Sequence, residues 1–190
     1  MVADPMVLRQ ALDDAGAVLR FHGMMRDRRL DKAGELAGRD HVLRVRRWVD
    51  EEAGHDVAEA GWKGPTTVND SGYKQREEIE FSVDDGAAAL AMFEALGYTV
   101  VEAIDRYVEV YDVEDTVVRI EWFPRMDVLV EIEGDPEGIE QAITRIGLDR
   151  NDCVADSLAT FTRRYGERTG QPGILAEEML QGEPPGWMTR

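Results

Sequence analysis

Glu78-Ile79-Glu80-Phe81-Ser82-Val83-Asp84-Asp85 and Val130-Glu131-Ile132-Glu133-Gly134-Asp135-Pro136 share one pattern: a short strand with two glutamates one residue apart, running into an Asp-started helix. Side chains alternate between the faces of a strand, so Glu78 and Glu80 share one side, as do Glu131 and Glu133, with Ile79, Phe81, Val130 and Ile132 on the other. Four carboxylates then line the polar side of a sheet. Like charges so close are unfavourable without cations among them, and Arg44-Val45-Arg46 places two arginines at the same spacing. The pattern predicts a charged cavity that holds metal ions and a polyanion.

The helices that follow these strands carry clear start and stop chemistry. Asp4-Pro5 opens a segment with Leu8, Leu12 and Ala15 on one face and Gly16 at its end. Asp84-Asp85 opens another that ends at Gly97, and Asp135-Pro136 a third that ends at Gly147. Asp at the N-cap, Pro in the first turn and Gly after the last turn are the expected signals. Strand-like runs cover 17–30, 41–49, 57–63, 74–83, 98–112, 116–123 and 127–134, and a last helix is expected over 151–168 after Asn151-Asp152. From Gly170 the composition turns to Gln171-Pro172-Gly173 and Pro184-Pro185-Gly186-Trp187, which reads as a flexible tail over 170–190 with a helical piece near Leu175–Leu180. Residues 1–169 are read as one α+β domain, an antiparallel β-barrel with helices packed outside. The repeated pattern also calls for an acidic strand before the first helix, where the chain has only Met1-Val2-Ala3. A barrel lacking that strand has unpaired edges, which makes a homodimer an expectation.

Composition narrows the partners. The 190 residues carry 39 acidic and 22 basic side chains, a formal net charge of -17, which argues against nucleic acid and anionic membranes. A small phosphate ligand remains compatible, since charges are screened beyond about 8 Å at physiological ionic strength. Cys153 is the only cysteine, so no disulfide framework exists and a cytoplasmic setting is expected. His22, His41 and His55 lack the spacing of a metal pair, and no run approaches the ~20 apolar residues of a membrane span. Asn69-Asp70-Ser71 reads as a turn.

Strand parity sorts the charges. Arg44 and Arg46 alternate with Leu43 and Val45; Arg76, Glu78 and Glu80 with Ile79 and Phe81; Arg119 and Glu121 with Val118, Ile120 and Trp122; Lys63 lies between Trp62 and Gly64. One strand is doubly basic and two are doubly acidic, which suits the interior of a polar barrel better than a solvated outer face. Guanidinium groups grip phosphate oxygens in pairs, lysine acts as a point charge, and carboxylates hold magnesium or manganese. Phosphoryl transfer asks for this positioning and charge neutralisation.

These residues resemble the CYTH, or triphosphate-tunnel, superfamily of class IV adenylyl cyclases and thiamine triphosphatases. The matching stretches are Leu43-Arg44-Val45-Arg46, Trp62-Lys63-Gly64-Pro65, Arg76-Glu77-Glu78-Ile79-Glu80, Asp105-Arg106-Tyr107-Val108-Glu109-Val110-Tyr111, and Val118-Arg119-Ile120-Glu121 followed by Val130-Glu131-Ile132-Glu133, in the family's order and over about residues 5–160. The resemblance implies an eight-stranded antiparallel tunnel that binds a triphosphate such as ATP, thiamine triphosphate or inorganic triphosphate. It implies phosphate contacts from Arg44, Arg46, Lys63, Arg76 and Arg106, to which the parity of its strand adds Arg119. Glu78, Glu80, Glu121, Glu131 and Glu133 form the implied acidic wall, with Glu131 and Glu133 the first candidates for Mg2+ or Mn2+. Two positions depart from the family. Its Glu-x-Glu-x-Lys strand is absent before the first helix, and Val108 stands where a second basic residue is common. The expected activity is metal-dependent triphosphate hydrolysis or adenylyl cyclisation, and the alternative is a triphosphate or polyphosphate binder impaired in catalysis.

Overall fold

A computed structural model describes residues 4–50, 52–70 and 72–189. Met1–Ala3, where the acidic strand before the first helix was sought, and Ser71 of the predicted turn lie outside the described residues. Among the described residues four α-helices and nine strands follow in the order α1 (Pro5–Asp14), β1 (Val18–Asp31), β2 (Val42–Asp50), β3 (His55–Lys63), β4 (Thr67–Val68), β5 (Lys74–Gln75), β6 (Glu78–Val83), α2 (Gly86–Ala95), β7 (Thr99–Val113), β8 (Thr116–Trp122), β9 (Leu129–Glu133), α3 (Pro136–Arg145) and α4 (Leu158–Thr169). Seven strands hydrogen-bond in the order β6-β3-β2-β1-β7-β8-β9, and β4 pairs with β5. The class is α+β with an antiparallel sheet, as read from the sequence. The closed barrel is not seen among the described residues: β6 pairs with β3 alone and β9 with β8 alone, so the order has two ends.

The first three helices start and stop as their sequences dictate. Asp4 accepts from the Met6 N–H at 2.9 Å, Asp85 from Ala87 and Ala88, and Asp135 from Gly138 at 2.7 Å. Gly16, Gly97 and Gly147 follow in the left-handed region that glycine enters without strain. The fourth helix begins later than expected. Asp149 caps only a short 3-10 turn over Arg150–Asp152, Cys153 is extended, and the helix restarts at Leu158 with Ser157 accepting from Thr160. One acidic cap was spent on one turn.

The chain divides into two compact units, residues 23–105 and residues 1–22 with 106–190. In the first, Leu30, Val45 and Ala89 form a core with Leu43, Val83, Leu90, Phe93 and Tyr98 packed on it. Gly86 permits the approach of α2 to the sheet, because a Cβ there would stand 2.9 Å from that of Ala58. The opposite end of this apolar face is uncovered at β6, where Ile79 is 55% and Phe81 58% exposed.

In the second unit α1 buries Leu8 and Leu12, and Arg9 locks it to β7. The Arg9 fork donates to both oxygens of Glu109, at 2.9 and 2.5 Å, with its guanidinium over the Trp122 ring. The segment read as a tail also packs into this unit. Arg125 and Ile174 exchange backbone hydrogen bonds at 3.1 and 2.8 Å, Gly186 donates to the Pro124 carbonyl at 2.8 Å, and Leu180 and Trp187 are buried. No described helix is long and apolar enough to cross a membrane.

Candidate functional site

In the unit of residues 23–105, register brings the charges of four strands to one face. Asp27 of β1 stands opposite Arg46 of β2, Arg46 opposite Glu59 of β3, and Glu59 opposite Ser82 of β6. Two residues along, Arg44, Gly61 and Glu80 form the next cross-strand row, and Val42, Lys63 and Glu78 the row after it. Asp27 is fully buried and accepts from Arg46 in bidentate fashion, Nε to Oδ1 at 2.6 Å and Nη2 to Oδ2 at 2.8 Å. Arg44 lies 3.9 Å from the same carboxylate and donates to Glu80 across β3. Gly61 leaves the space for that reach, since a Cβ there would sit 3.2 Å from the Glu80 carboxylate. Lys63 donates to Glu78 at 2.7 Å, and Trp48 to Glu59 at 2.9 Å.

Charge states follow the packing. Burial, then the neighbouring Arg46, lowers the pKa of the Arg44 guanidinium. Burial pushes the Glu80 carboxyl up, but Arg44, Lys63 and Arg46 together pull it below the ordinary range. Arg44 and Arg46 are therefore held close together by carboxylates. Glu78 and Glu80 keep side-chain exposures of 42% and 34% and have room to swing away, while Asp27 has none.

In the unit of residues 1–22 and 106–190, β7, β8 and β9 carry the second charged face. Arg106 donates to both oxygens of Glu121, at 3.1 and 3.2 Å. Arg119 stands opposite Glu131 in the β8–β9 register. It donates from Nη1 to Glu131 at 2.7 Å and from Nη2 to Glu133 at 3.2 Å, with Glu121 at 3.7 Å. Val108, opposite Glu121, is fully buried.

The structure thus gathers Arg44, Arg46, Lys63, Glu78 and Glu80 on one unit's face, and Arg106, Arg119, Glu121, Glu131 and Glu133 on the other's. Arg76 is elsewhere: it donates to the backbone oxygen and side chain of Asp40, at 2.8 and 2.6 Å, and braces the loop before β2. Two site residues escaped sequence reading. Asp27 is embedded in Arg26-Asp27-Arg28-Arg29, which reads as a basic run, and Glu59 lies in the alternating Val57-Ala58-Glu59-Ala60; the parity of Glu59 with Lys63 was the available signal.

Magnesium and manganese need several converging oxygens. Among the described residues no group of three or more His, Cys, Asp or Glu is arranged to hold an ion. The proposed ligands instead face cations, Glu78 on Lys63, Glu80 on Arg44, Glu121 on Arg106, and Glu131 with Glu133 on Arg119. The residues present do not form a ready metal site.

No family model and no curated protein sequence matches the chain. Solved structures do. A provisionally named adenylate cyclase from Vibrio parahaemolyticus superposes with a TM-score of 0.69 at 15% identity, covering 84% of this chain and 92% of its own. A provisional adenylyl cyclase from Hippeastrum, described by a dominant triphosphatase activity, gives 0.62 at 19% identity over 90% and 93% of the two chains. A Pyrococcus horikoshii protein gives 0.66 at 18% identity over 83% and 92%. At such identities the likeness establishes the fold and leaves the chemistry to the site.

Proposed function

We propose that this chain, whose fold is that of the CYTH superfamily, binds the polyphosphate chain of a nucleoside or organic triphosphate and performs phosphoryl chemistry on it. The observation that carries the proposal is the buried pair Arg44 and Arg46, one residue apart on β2 and held by Asp27. Two guanidinium forks fixed side by side match the oxygens of successive phosphates, and Lys63 adds a mobile point charge.

Phosphate binds here by exchange. Each cation already has a carboxylate, so an incoming polyanion takes Arg44 from Glu80 and Lys63 from Glu78, and the half-exposed glutamates turn to water. The net gain is small for one pair and grows with the number of phosphates, which favours a triphosphate over a monophosphate. Magnesium or manganese enters as the ligand's own counter-ion and would supply charge neutralisation on its phosphate oxygens. A cytoplasmic setting accords with the free thiol of Cys153.

Binding without turnover is a second reading, favoured by the pairing of every candidate metal carboxylate with a cation. One experiment separates the two. Inorganic triphosphate, thiamine triphosphate and ATP are each incubated with the protein, with and without Mg2+ or Mn2+, while melting temperature and product are followed. Stabilisation with product supports the enzyme, and stabilisation alone supports the binder. No shift and no product with any ligand rejects both.

A further inference from the structure

We infer that Arg119 is the built-in counter-ion of the β9 glutamate pair, filling with a guanidinium the place a divalent cation would take, so that Glu131 and Glu133 do not bind metal while Arg119 is present. The inference stands apart from the triphosphate reading, because it concerns these three side chains and an aqueous ion alone.

The geometry is that of a fork between two oxygens. Arg119 sits on β8 directly opposite Glu131, and Glu133 is the next residue of β9 on the same face. Its two terminal nitrogens divide between them, Nη1 to Glu131 Oε2 at 2.7 Å and Nη2 to Glu133 Oε2 at 3.2 Å. An ion bound between the two carboxylates would lie against this guanidinium. Six-coordinate magnesium or manganese needs its ligand oxygens at about 2.1 Å and tolerates no cation at that range.

Exposure decides which group would have to move. Arg119 is 8% exposed, whereas the side chains of Glu131 and Glu133 are 48% and 49% exposed. The arginine is fixed by the sheet, and the glutamates lean onto it. Metal binding would therefore pull both carboxylates outward, away from charge-assisted hydrogen bonds to a buried cation that would be left with less compensation. Glu121 offers no relief, for it accepts twice from Arg106 and lies 3.7 Å from Arg119. Among the described residues Arg106 and Arg119 thus face Glu121, Glu131 and Glu133. Any divalent-metal dependence of the protein then comes with the ligand and not through the β9 pair.

Titration of the full chain with Mn2+ alone, read by electron paramagnetic resonance of the free ion, tests this. Three variants are compared with the wild type: E131Q/E133Q, R119Q, and R119Q combined with E131Q/E133Q. We expect wild type and E131Q/E133Q to bind Mn2+ equally. R119Q should gain a site at least tenfold tighter, which the combined variant loses. A tenfold or greater loss of affinity in E131Q/E133Q with Arg119 intact overturns the inference, as does a folded R119Q without the gain. If R119Q melts out, the comparison of wild type with E131Q/E133Q decides alone, because the introduced amides keep an oxygen that accepts from Arg119.

Discussion

Asp27 shows how much one buried carboxylate can carry at the residue scale. It takes both ends of the Arg46 fork and stands within reach of Arg44, with no exposure to water. Removing one partner of a buried pair leaves the other charge uncompensated, which costs about 3–5 kcal/mol. Asp27→Leu is therefore expected to lower unfolding stability by about that much in urea, and pairing it with Arg46→Met should recover part of the loss. A second residue gives a pH signature. The Thr66 backbone N–H, then the Thr66 hydroxyl and Arg76, hold the Asp40 carboxyl down at about 2. The lowered value means stability that is present above the ordinary aspartate range of about 4 and is lost as pH falls toward the folded value. Asp40→Asn keeps a residue tolerant of the left-handed backbone at φ 55 and removes the titration. Between about pH 5 and about pH 2.5 the wild type should lose more of its urea midpoint than Asp40→Asn does. The side chain is largely exposed, so the difference will be modest.

Elements were legible where their signals are local. The Asp, Pro and Gly punctuation placed α1, α2 and α3, and alternation placed β1, β2, β3, β7, β8 and β9 within a residue or two, whereas the run read as one strand over 74–83 is broken into β5 and β6, which belong to different sheets. Arg44 with Arg46, Glu78 with Glu80 and Glu131 with Glu133 were assigned to shared faces correctly, because parity within a strand needs no knowledge of its neighbours. The start of α4 was missed because two capping residues competed and sequence does not say which cap the packed chain uses. The docked segment after Gly170 was harder still, since Pro and Gly read alike in a loose end and in a fitted strap. Gly186 tests the strap. Its added Cβ would meet the Phe123 carbonyl oxygen at 2.6 Å, a backbone atom that cannot turn aside. Gly186→Ala should destabilise by about 1–3 kcal/mol. It should also speed proteolytic cleavage after Arg168, next to the segment it loosens; an unchanged cleavage rate and unchanged stability would show that this contact holds nothing in place.

For the whole molecule the charge balance matters more than any pair. Ion pairs are local and their exposed members are worth little, whereas a net charge of -17 repels itself over distances that only salt shortens. Melting temperature is expected to rise between about 0.01 M and about 0.15 M NaCl, as the Debye length falls from about 30 Å to about 8 Å. A fall would mean that the Arg–carboxylate pairs outweigh the self-repulsion.

The sequence by itself determined which side chains share a strand face, where three helices begin and end, and the α+β class, because each of these follows from periods and caps set by neighbouring residues. Only the tertiary structure decided which charge meets which. Cross-strand register set Arg119 opposite Glu131 and Asp27 opposite Arg46, and the packing of the loop before β2 brought Asp40 to Arg76. Register is fixed by burial of the opposite, apolar faces of the strands, and that information is spread over residues far apart in the chain.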